Sequence, residues 1–306
     1  MDRSIGRRGF IGSAGAAVAA ALTLEAGRPR PEAFASDDIS KAPRLMVGCC
    51  AYSFRKYLEP GKMTMEDFIR KGVELRCQGV DITGYWWKSK DPAYIASLRN
   101  LAFKCGMPFS GAACGSSMVQ ADGVKRAQVL EEIKQWVDAT ELLGAAHLRI
   151  FAGRLPSGAT NANGLDWCVE IMKPACDYAG KKGVTLGVEN HDGITQRADA
   201  CLELIRRVDS PYGGINLDIS NFVAGSDAEQ YQQIEACVPV ATHTHIRDVF
   251  GDSHRPIDLD RVWQIFAKGG FKGYMSVEYE GDEDAMTGVP KLLERIRTLC
   301  RKYSSV

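Results

Sequence analysis

The chain has 306 residues, of which 45% are hydrophobic and 25% charged, enough to bury the core of one large domain or two small ones. Its 38 lysines and arginines balance its 38 aspartates and glutamates, so no global field gathers phosphate backbones or anionic lipid. A dedicated nucleic-acid binder is therefore disfavoured, and no nucleic-acid partner is expected.

Residues 1–35 read as an export signal rather than as part of the fold. Arg3, Arg7 and Arg8 precede an apolar stretch from Phe10 to Leu24, and Ala33-Phe34-Ala35 offers a small-x-small cleavage site before Ser36. The stretch is shorter than the roughly 20 residues a bilayer crossing needs, so no stable membrane span is expected. Arg7-Arg8-Gly9-Phe10-Ile11 resembles the twin-arginine export signal of bacteria. That resemblance implies the twin-arginine export machinery as a partner and a periplasmic or secreted location. Gly6 stands where such signals usually carry Ser or Thr, which leaves the general secretory route as the alternative. Residues 36–44 form a linker.

From Lys41 onward, short runs rich in β-branched residues alternate with segments of helical periodicity, the pattern of parallel strands joined by crossover helices. The predicted strands are Leu45–Cys50, Gly79–Thr83, Pro108–Ala113, His147–Phe151, Thr185–Glu189, Gly214–Asp218, Thr242–Ile246 and Tyr274–Glu278. Between them lie predicted helices over Met65–Arg76, Pro92–Cys105, Val124–Leu143, Asp166–Lys182, Arg197–Val208, Glu229–Cys237 and Leu259–Lys268, with Asp284–Lys302 closing the chain. Thr64 with Asp67 marks a helix start, and Lys182-Gly183 and Lys268-Gly269-Gly270 mark helix ends. Eight strand-helix units in about 260 residues predict a single (β/α)8 TIM barrel over residues 45–306. The runner-up is an open doubly wound sheet. Against it, the first strand runs into Cys49-Cys50-Ala51-Tyr52-Ser53-Phe54 and not into a GxGxxG phosphate loop.

Ten cysteines in an exported chain raise the question of disulfides. They are scattered, with no CxxC pair and no zinc-ribbon spacing, and most sit inside apolar strand or helix patterns. They read as small core residues.

In such a barrel the active site lies where the strands run out. The last four strands end in Glu189-Asn190-His191-Asp192, in Asp218, in His243-Thr244-His245-Ile246-Arg247-Asp248 and in Glu278-Tyr279-Glu280. One such residue is most often a solvated loop residue or a helix cap; four in succession on adjacent strands, roughly 4.8 Å apart, converge on one point. Three carboxylates and one imidazole make an oxygen and nitrogen site for one divalent metal ion, Mn²⁺ first, with Mg²⁺, Co²⁺ or Zn²⁺ as alternatives. So many carboxylates overcharge the site unless a cation neutralises them.

The runs GVENHDG (Gly187–Gly193), NLDISNF (Asn216–Phe222), THTHIRD (Thr242–Asp248) and SVEYEG (Ser276–Gly281), in that order, resemble the xylose isomerase-like superfamily, which includes sugar phosphate isomerase/epimerase-like proteins, ketohexose epimerases and inosose dehydratases. The resemblance covers the chain from about Arg44 onward. It implies Glu189, Asp218, His245 and Glu278 as metal ligands, His245 being preferred to His243 because His245-Ile246-Arg247-Asp248 matches the family's His-x-Lys-Asp. It further implies a metal-dependent sugar isomerase or epimerase working through a metal-stabilised enediolate, with Glu189 and Glu278 as the catalytic acid and base.

Further candidates for sugar contact flank this set. His191 follows Glu189 by two residues, and Arg149 ends strand four, where it either binds a substrate oxygen or pairs with Asp81 or a ligand carboxylate. Trp86 and Trp87 offer a stacking wall or plain packing at the barrel mouth. His254 and Arg255 lie on the loop where relatives place substrate contacts. Asn221 stands where ketohexose epimerases of the superfamily carry a histidine, which argues against an ordinary tagatose or psicose epimerase. No glycine-rich loop or basic cluster offers a phosphate cradle. The rival readings are a lyase or hydrolase acting on 3-keto sugars or glycosides at the same site, and a non-catalytic sugar-binding barrel. The endonuclease branch of the fold needs more metal-binding histidines than the five present. A homo-oligomer is left open.

Overall fold

The structure, a computed structural model, describes residues 42–304; the expected export signal and most of the expected linker lie outside these residues. Eight parallel strands close in chain order into a barrel, β1 (Arg44–Cys50), β2 (Gly79–Thr83), β3 (Phe109–Ala113), β4 (His147–Phe151), β5 (Thr185–Glu189), β6 (Gly213–Asp218), β7 (Ala241–Ile246) and β8 (Lys272–Val277), with β8 pairing back onto β1. A helix follows each strand: α1 (Met65–Glu74), α2 (Pro92–Lys104), α3 (Gly123–Leu143), α4 (Asn161–Gly180), α5 (Ala198–Val208), α6 (Asp227–Cys237), α7 (Leu259–Lys268) and α8 (Ala285–Tyr303). This is the (β/α)8 barrel that the alternation predicts. Among the described residues no helix is long and apolar enough to cross a membrane.

Local chemistry sets the helix boundaries. Thr64 caps α1, its hydroxyl accepting from the Asp67 N–H at 3.2 Å while the Asp67 carboxylate accepts from the Thr64 N–H at 3.1 Å. Helix α4 starts at Asn161, earlier than the Asp166 expected from periodicity. The reason is a second capping box, Thr160 with Asn163, in which asparagine replaces the usual Glu or Gln. Gly164 in its first turn hides the signal further, and it is needed there because a Cβ would meet Leu155 at 2.8 Å. Strand β8 ends at Val277, so Glu278 lies just past the strand, its N–H still donating to the Ile246 carbonyl at 3.0 Å. All ten cysteines are free thiols, and all but Cys105 are buried.

Strand alternation sorts the residues. The apolar series Val80 and Ile82, Leu148 and Ile150, Leu186 and Val188, Ile215 and Leu217 belongs to the hydrophobic core shared with the helices. The other series is polar. Asn216 pairs with His243, Asp218 with His245, and His245 with Ser276, so a polar layer lies one step below the row of strand-end carboxylates. His147 stacks on His243 with ring centroids 4.9 Å apart, and the Oγ of Thr242, where the β6–β7 register skips, is 3.1 Å from His147 Nε2.

Glycines make room for this layer. A Cβ on Gly187 of β5 would collide with His147 Nε2, and one on Gly111 of β3 would meet His147 Nδ1 at 3.2 Å. One on Gly48 of β1 would press at 3.1 Å on Ser276, whose hydroxyl reaches across to Asp81 of β2. Gly187→Ala is accordingly expected to destabilise the protein by about 1–3 kcal/mol through overpacking against His147, measured by urea unfolding against wild type.

Candidate metal centre

Glu189 closes β5, Asp218 closes β6, His245 is the penultimate residue of β7 and Glu278 follows β8. One ligand atom from each lies within 4.8 Å of the others, and all four side chains are buried. Glu189 Oε2, Asp218 Oδ2 and His245 Nδ1 are buried without a hydrogen-bond partner. Buried polar atoms rarely stay unpartnered, and oxygen with imidazole nitrogen is the donor set of a divalent cation. The four residues fit such an ion.

His245 is held from both sides. Its Nδ1 is 3.6 Å from Glu189 Oε2 and 3.4 Å from Glu278 Oε1, and its Nε2 is 3.6 Å from Asp81 Oδ1. A carboxylate behind a ligating imidazole fixes the ring and raises its basicity. Burial works against a charge on His245, yet Glu278, the Cys50 thiol and Glu189 raise its pKa well above the ordinary histidine value. Burial also opposes ionisation of Asp81, but the His245 and His243 rings hold its carboxyl below the usual carboxylate range. His243 differs from His245: burial pushes its pKa down to about 4, so it is neutral.

Hydrogen bonds orient the remaining members of the cluster. The Ser220 N–H and hydroxyl donate to Asp218 Oδ1 at 2.7 and 2.6 Å. Asn190 latches β5 to β6, its amide donating to the Asp218 carbonyl and accepting from the Asp218 N–H, both at 2.8 Å. Asn221 Nδ2 donates to Glu189 Oε1 at 3.4 Å, and the Cys50 thiol donates to Glu278 Oε1 at 3.7 Å.

Two arginines supply positive charge. Arg149 Nε is 3.0 Å from Glu189 Oε2, an ion pair rather than an aligned hydrogen bond, since both atoms lack a hydrogen-bond partner. Its Nη1 donates to the Tyr85 hydroxyl and the Cys114 carbonyl at 3.2 and 3.1 Å, and its guanidinium lies 3.9 Å from the Phe151 ring centroid. Of the roles open to Arg149, pairing with a ligand carboxylate is therefore the one its side chain adopts. Arg247 lies 3.2 Å from Asp218 and 3.0 Å from Glu278. Burial opposes the charge of either arginine, but the facing carboxylates raise both pKa values above the ordinary arginine value.

Above the ligands opens a cavity of about 330 Å³ lined by Tyr52, Tyr85, Arg149, Phe151, Glu189, His191, Arg247, Glu278 and Glu280. Glu189, Glu278, His191 and Arg149 thus share one wall, with Asn221 bonded to Glu189 beside it. The other sequence candidates are placed elsewhere. Trp87 is 9% exposed and packs edge-on against Trp136 in the core, with ring centroids 5.4 Å apart. Trp86 is half-buried and braces Tyr52 and Tyr85, each at 5.8 Å, so these tyrosines present the aromatic surface. His254 and Arg255 are exposed on a hairpin closed by Val249 and Pro256, where Arg255 pairs with Asp227 at 2.7 Å, and neither lines the cavity. Sequence reasoning misses Tyr52, Tyr85, Phe151, Arg247 and Glu280 as wall residues. Their signal was proximity: Tyr85 precedes the tryptophans, and Glu280 follows Glu278 by two residues.

Fold and site together define a (β/α)8 barrel with a carboxylate and imidazole centre at the carboxyl end of its strands. Residues 71–299 match the Xylose isomerase-like TIM barrel family, and the chain belongs to that family. Curated proteins give no match. Among solved structures the chain is similar to the 3-keto-D-glucoside 4-epimerase of E. coli, at TM-score 0.67 and 14% identity over 84% of this chain and 99% of that one. It is also similar to a D-allulose 3-epimerase from Methylomonas sp., at TM-score 0.63 and 16% identity over 85% and 95% of the two chains. A probable 3-DHS dehydratase from Bacillus anthracis has TM-score 0.66 and 16% identity over 83% and 98%.

The contact between Asp81 and His245 yields a direct test. Asp81→Asn is expected to weaken Mn²⁺ binding by about 10–100-fold, the usual cost of losing the partner behind a metal-bound histidine, with an unchanged circular dichroism spectrum. Calorimetric titration of both proteins reads this.

Proposed function

We propose that the protein is a divalent-metal-dependent isomerase or epimerase acting on a neutral, unphosphorylated keto sugar, with Glu189 and Glu278 as its acid and base. The observation that carries this reading is that both glutamates face one cavity and both flank His245 Nδ1, at 3.6 and 3.4 Å. They come from strand positions three apart around the barrel, so a sugar carbon seated between them meets a carboxylate on either face. The family membership and the epimerases among the similar structures support the same reading.

A divalent ion held by Glu189, Asp218, His245 and Glu278 would polarise a ketone oxygen and acidify the neighbouring C–H. The chain's own residues do the rest. Burial opposes ionisation of Glu189, but His245 and Arg149 hold its carboxyl below the usual glutamate pKa, so it is a charged base at neutral pH. Glu278, oriented by Arg247 and the Cys50 thiol, gives its own proton to the opposite face and is reloaded from solvent in the cavity, where Glu189 releases the one it took. Tyr52, Tyr85 and Phe151 offer the aromatic faces on which sugars stack. Both arginines on the cavity wall are engaged by carboxylates, at 3.0 Å for Arg149 with Glu189 and 3.0 Å for Arg247 with Glu278, so among the described residues of this wall neither guanidinium is free for a phosphate.

A second reading, a lyase on 3-keto sugars, draws on Glu280. Burial raises the pKa of this third carboxyl on the cavity wall above the ordinary glutamate value, as suits a proton donor to a departing oxygen. The similarity to a probable 3-DHS dehydratase points the same way.

The test is solvent-deuterium exchange into a panel of ketoses, 3-keto glycosides and their phosphates, with metal analysis of each protein. Wild type should exchange deuterium into neutral ketoses, and Glu189→Gln should lower the rate by about 10²–10⁴-fold. Asp218→Asn and His245→Ala should lose both metal and exchange. Wild type that binds metal but exchanges nothing would sink the enzyme reading and leave a binding barrel.

We further propose export through the twin-arginine route, supported by Arg7-Arg8, the Phe10–Leu24 apolar stretch and Ala33-Phe34-Ala35. Protein recovered from the periplasm of a bacterial host should begin at Ser36, and Arg7→Lys with Arg8→Lys should hold it in the cytoplasm; unprocessed protein in both cases refutes export.

A further inference from the structure

Arg247 stands against the ligand carboxylates although no step of the proposed chemistry is its own. One nitrogen, Nη2, lies 3.2 Å from Asp218 Oδ2, 3.0 Å from Glu278 Oε2 and 2.7 Å from Glu280 Oε1, and its Nε is buried without a partner. These contacts fall into two kinds. Asp218 and Glu278 belong to the four-residue metal cluster; Glu280 does not, and its side chain is 28% exposed. Glu280 is itself tied down by Arg55, whose Nη2 is 3.4 Å from Oε2 and whose Nη1 donates to the Tyr279 carbonyl at 2.9 Å.

Two of the three carboxylates in the cluster therefore face a permanent cation, since a guanidinium does not lose its proton in proteins. A divalent ion at the same carboxylates is repelled by that cation, more strongly in a buried site than in water. We propose that Arg247 is a built-in counter-cation that sets, and weakens, the metal affinity of the centre, with Glu280 as the anchor that shares the guanidinium with Asp218 and Glu278. This rests on the metal reading above. It gives the arrangement a use: Asp218 and Glu278 stay neutralised in the metal-free chain, and the ion binds reversibly.

The test is calorimetric titration of the full-length protein with Mn²⁺, for wild type, Arg247→Met, Arg247→Lys, Glu280→Gln and the Arg247→Met/Glu280→Gln pair. Arg247→Met should bind Mn²⁺ about tenfold more tightly or better, and Arg247→Lys, which keeps the charge, should stay within about threefold of wild type. Glu280→Gln should bind about three- to tenfold more weakly, and that loss should vanish in the pair, because Glu280 acts only through Arg247. Metal-free Arg247→Met should melt at a lower temperature than wild type and gain more from added Mn²⁺. Weaker or unchanged binding in Arg247→Met, or a Glu280→Gln loss that persists in the pair, overturns the proposal. If Arg247→Met does not fold, Glu280→Gln decides alone, and unchanged or tighter binding there overturns it. A wild type that binds no Mn²⁺ defeats the metal reading and this inference together, whereas one equivalent bound by wild type with no tightening in Arg247→Met defeats only the inference.

Discussion

Three carboxylates buried within 4.8 Å of one another, Glu189, Asp218 and Glu278, impose the constraint around which the rest of the site is built. Left alone, such groups take up protons or cost several kcal/mol each. The chain answers with groups at fixed places: the guanidinium of Arg149 on Glu189, that of Arg247 on Asp218 and Glu278, and the His245 ring between Glu189 and Glu278. Each of these is secured in turn. Arg149 rests on Phe151 and donates to Tyr85, and His245 backs onto Asp81, which accepts the Ser276 hydroxyl. Charge balance thereby becomes geometry, because each neutralising group is itself held by a further contact.

The layer beneath the ligands follows from the same need. Barrel interiors are ordinarily filled by branched apolar side chains. Here the interior positions below the cluster are Asn216, His243 and Ser276, with His147 reaching in over Gly111 and Gly187, and Ser276 over Gly48 toward Asp81. Burial keeps His147 and His243 neutral, so this layer adds no positive charge beneath the carboxylates. His245, two residues above His243 on the same strand, faces carboxylates and is raised instead. Two histidines of one strand thus take opposite electrostatic parts because their neighbours differ, which the spacing His243-Thr244-His245 does not reveal.

The strands were legible to within a residue or two because apolar outward positions alternate with polar inward ones, and both signals are local. The convergence of the strand-end row was legible for the same reason: Glu189, Asp218 and His245 lie inside or at the end of their strands, where direction follows from the period of two. Glu278 lies one residue beyond β8 and still points inward because its N–H continues the ladder to Ile246. The cavity wall was less legible. Trp86, Trp87 and Tyr85 sit in one short 3₁₀ turn and its exit, where no period fixes direction, and Trp87 turned to Trp136 while Tyr85 turned to Arg149. His254 and Arg255 were assigned by the place of their loop, but the Val249 to Pro256 hairpin folds them outward. The start of α4 was missed because its capping box uses an asparagine that composition does not distinguish from a loop.

Ring and wall therefore divide the work in the proposed chemistry. The ring of Glu189, Asp218, His245 and Glu278 activates a C–H beside a ketone whatever sugar carries it, and so its residues fix the class of reaction. Which bond changes next depends on where the wall places the neighbouring carbons relative to Glu189, Glu278 and Glu280. A carbon held squarely between Glu189 and Glu278 is deprotonated on one face and reprotonated on the other, which is epimerisation. A carbon shifted toward Glu280 brings its oxygen to a carboxyl whose pKa burial has raised, which is elimination. In this proposal the choice between the two positions falls to Tyr52 and Tyr85, which are braced by Trp86 and joined to the ring through the Tyr85 contact with Arg149.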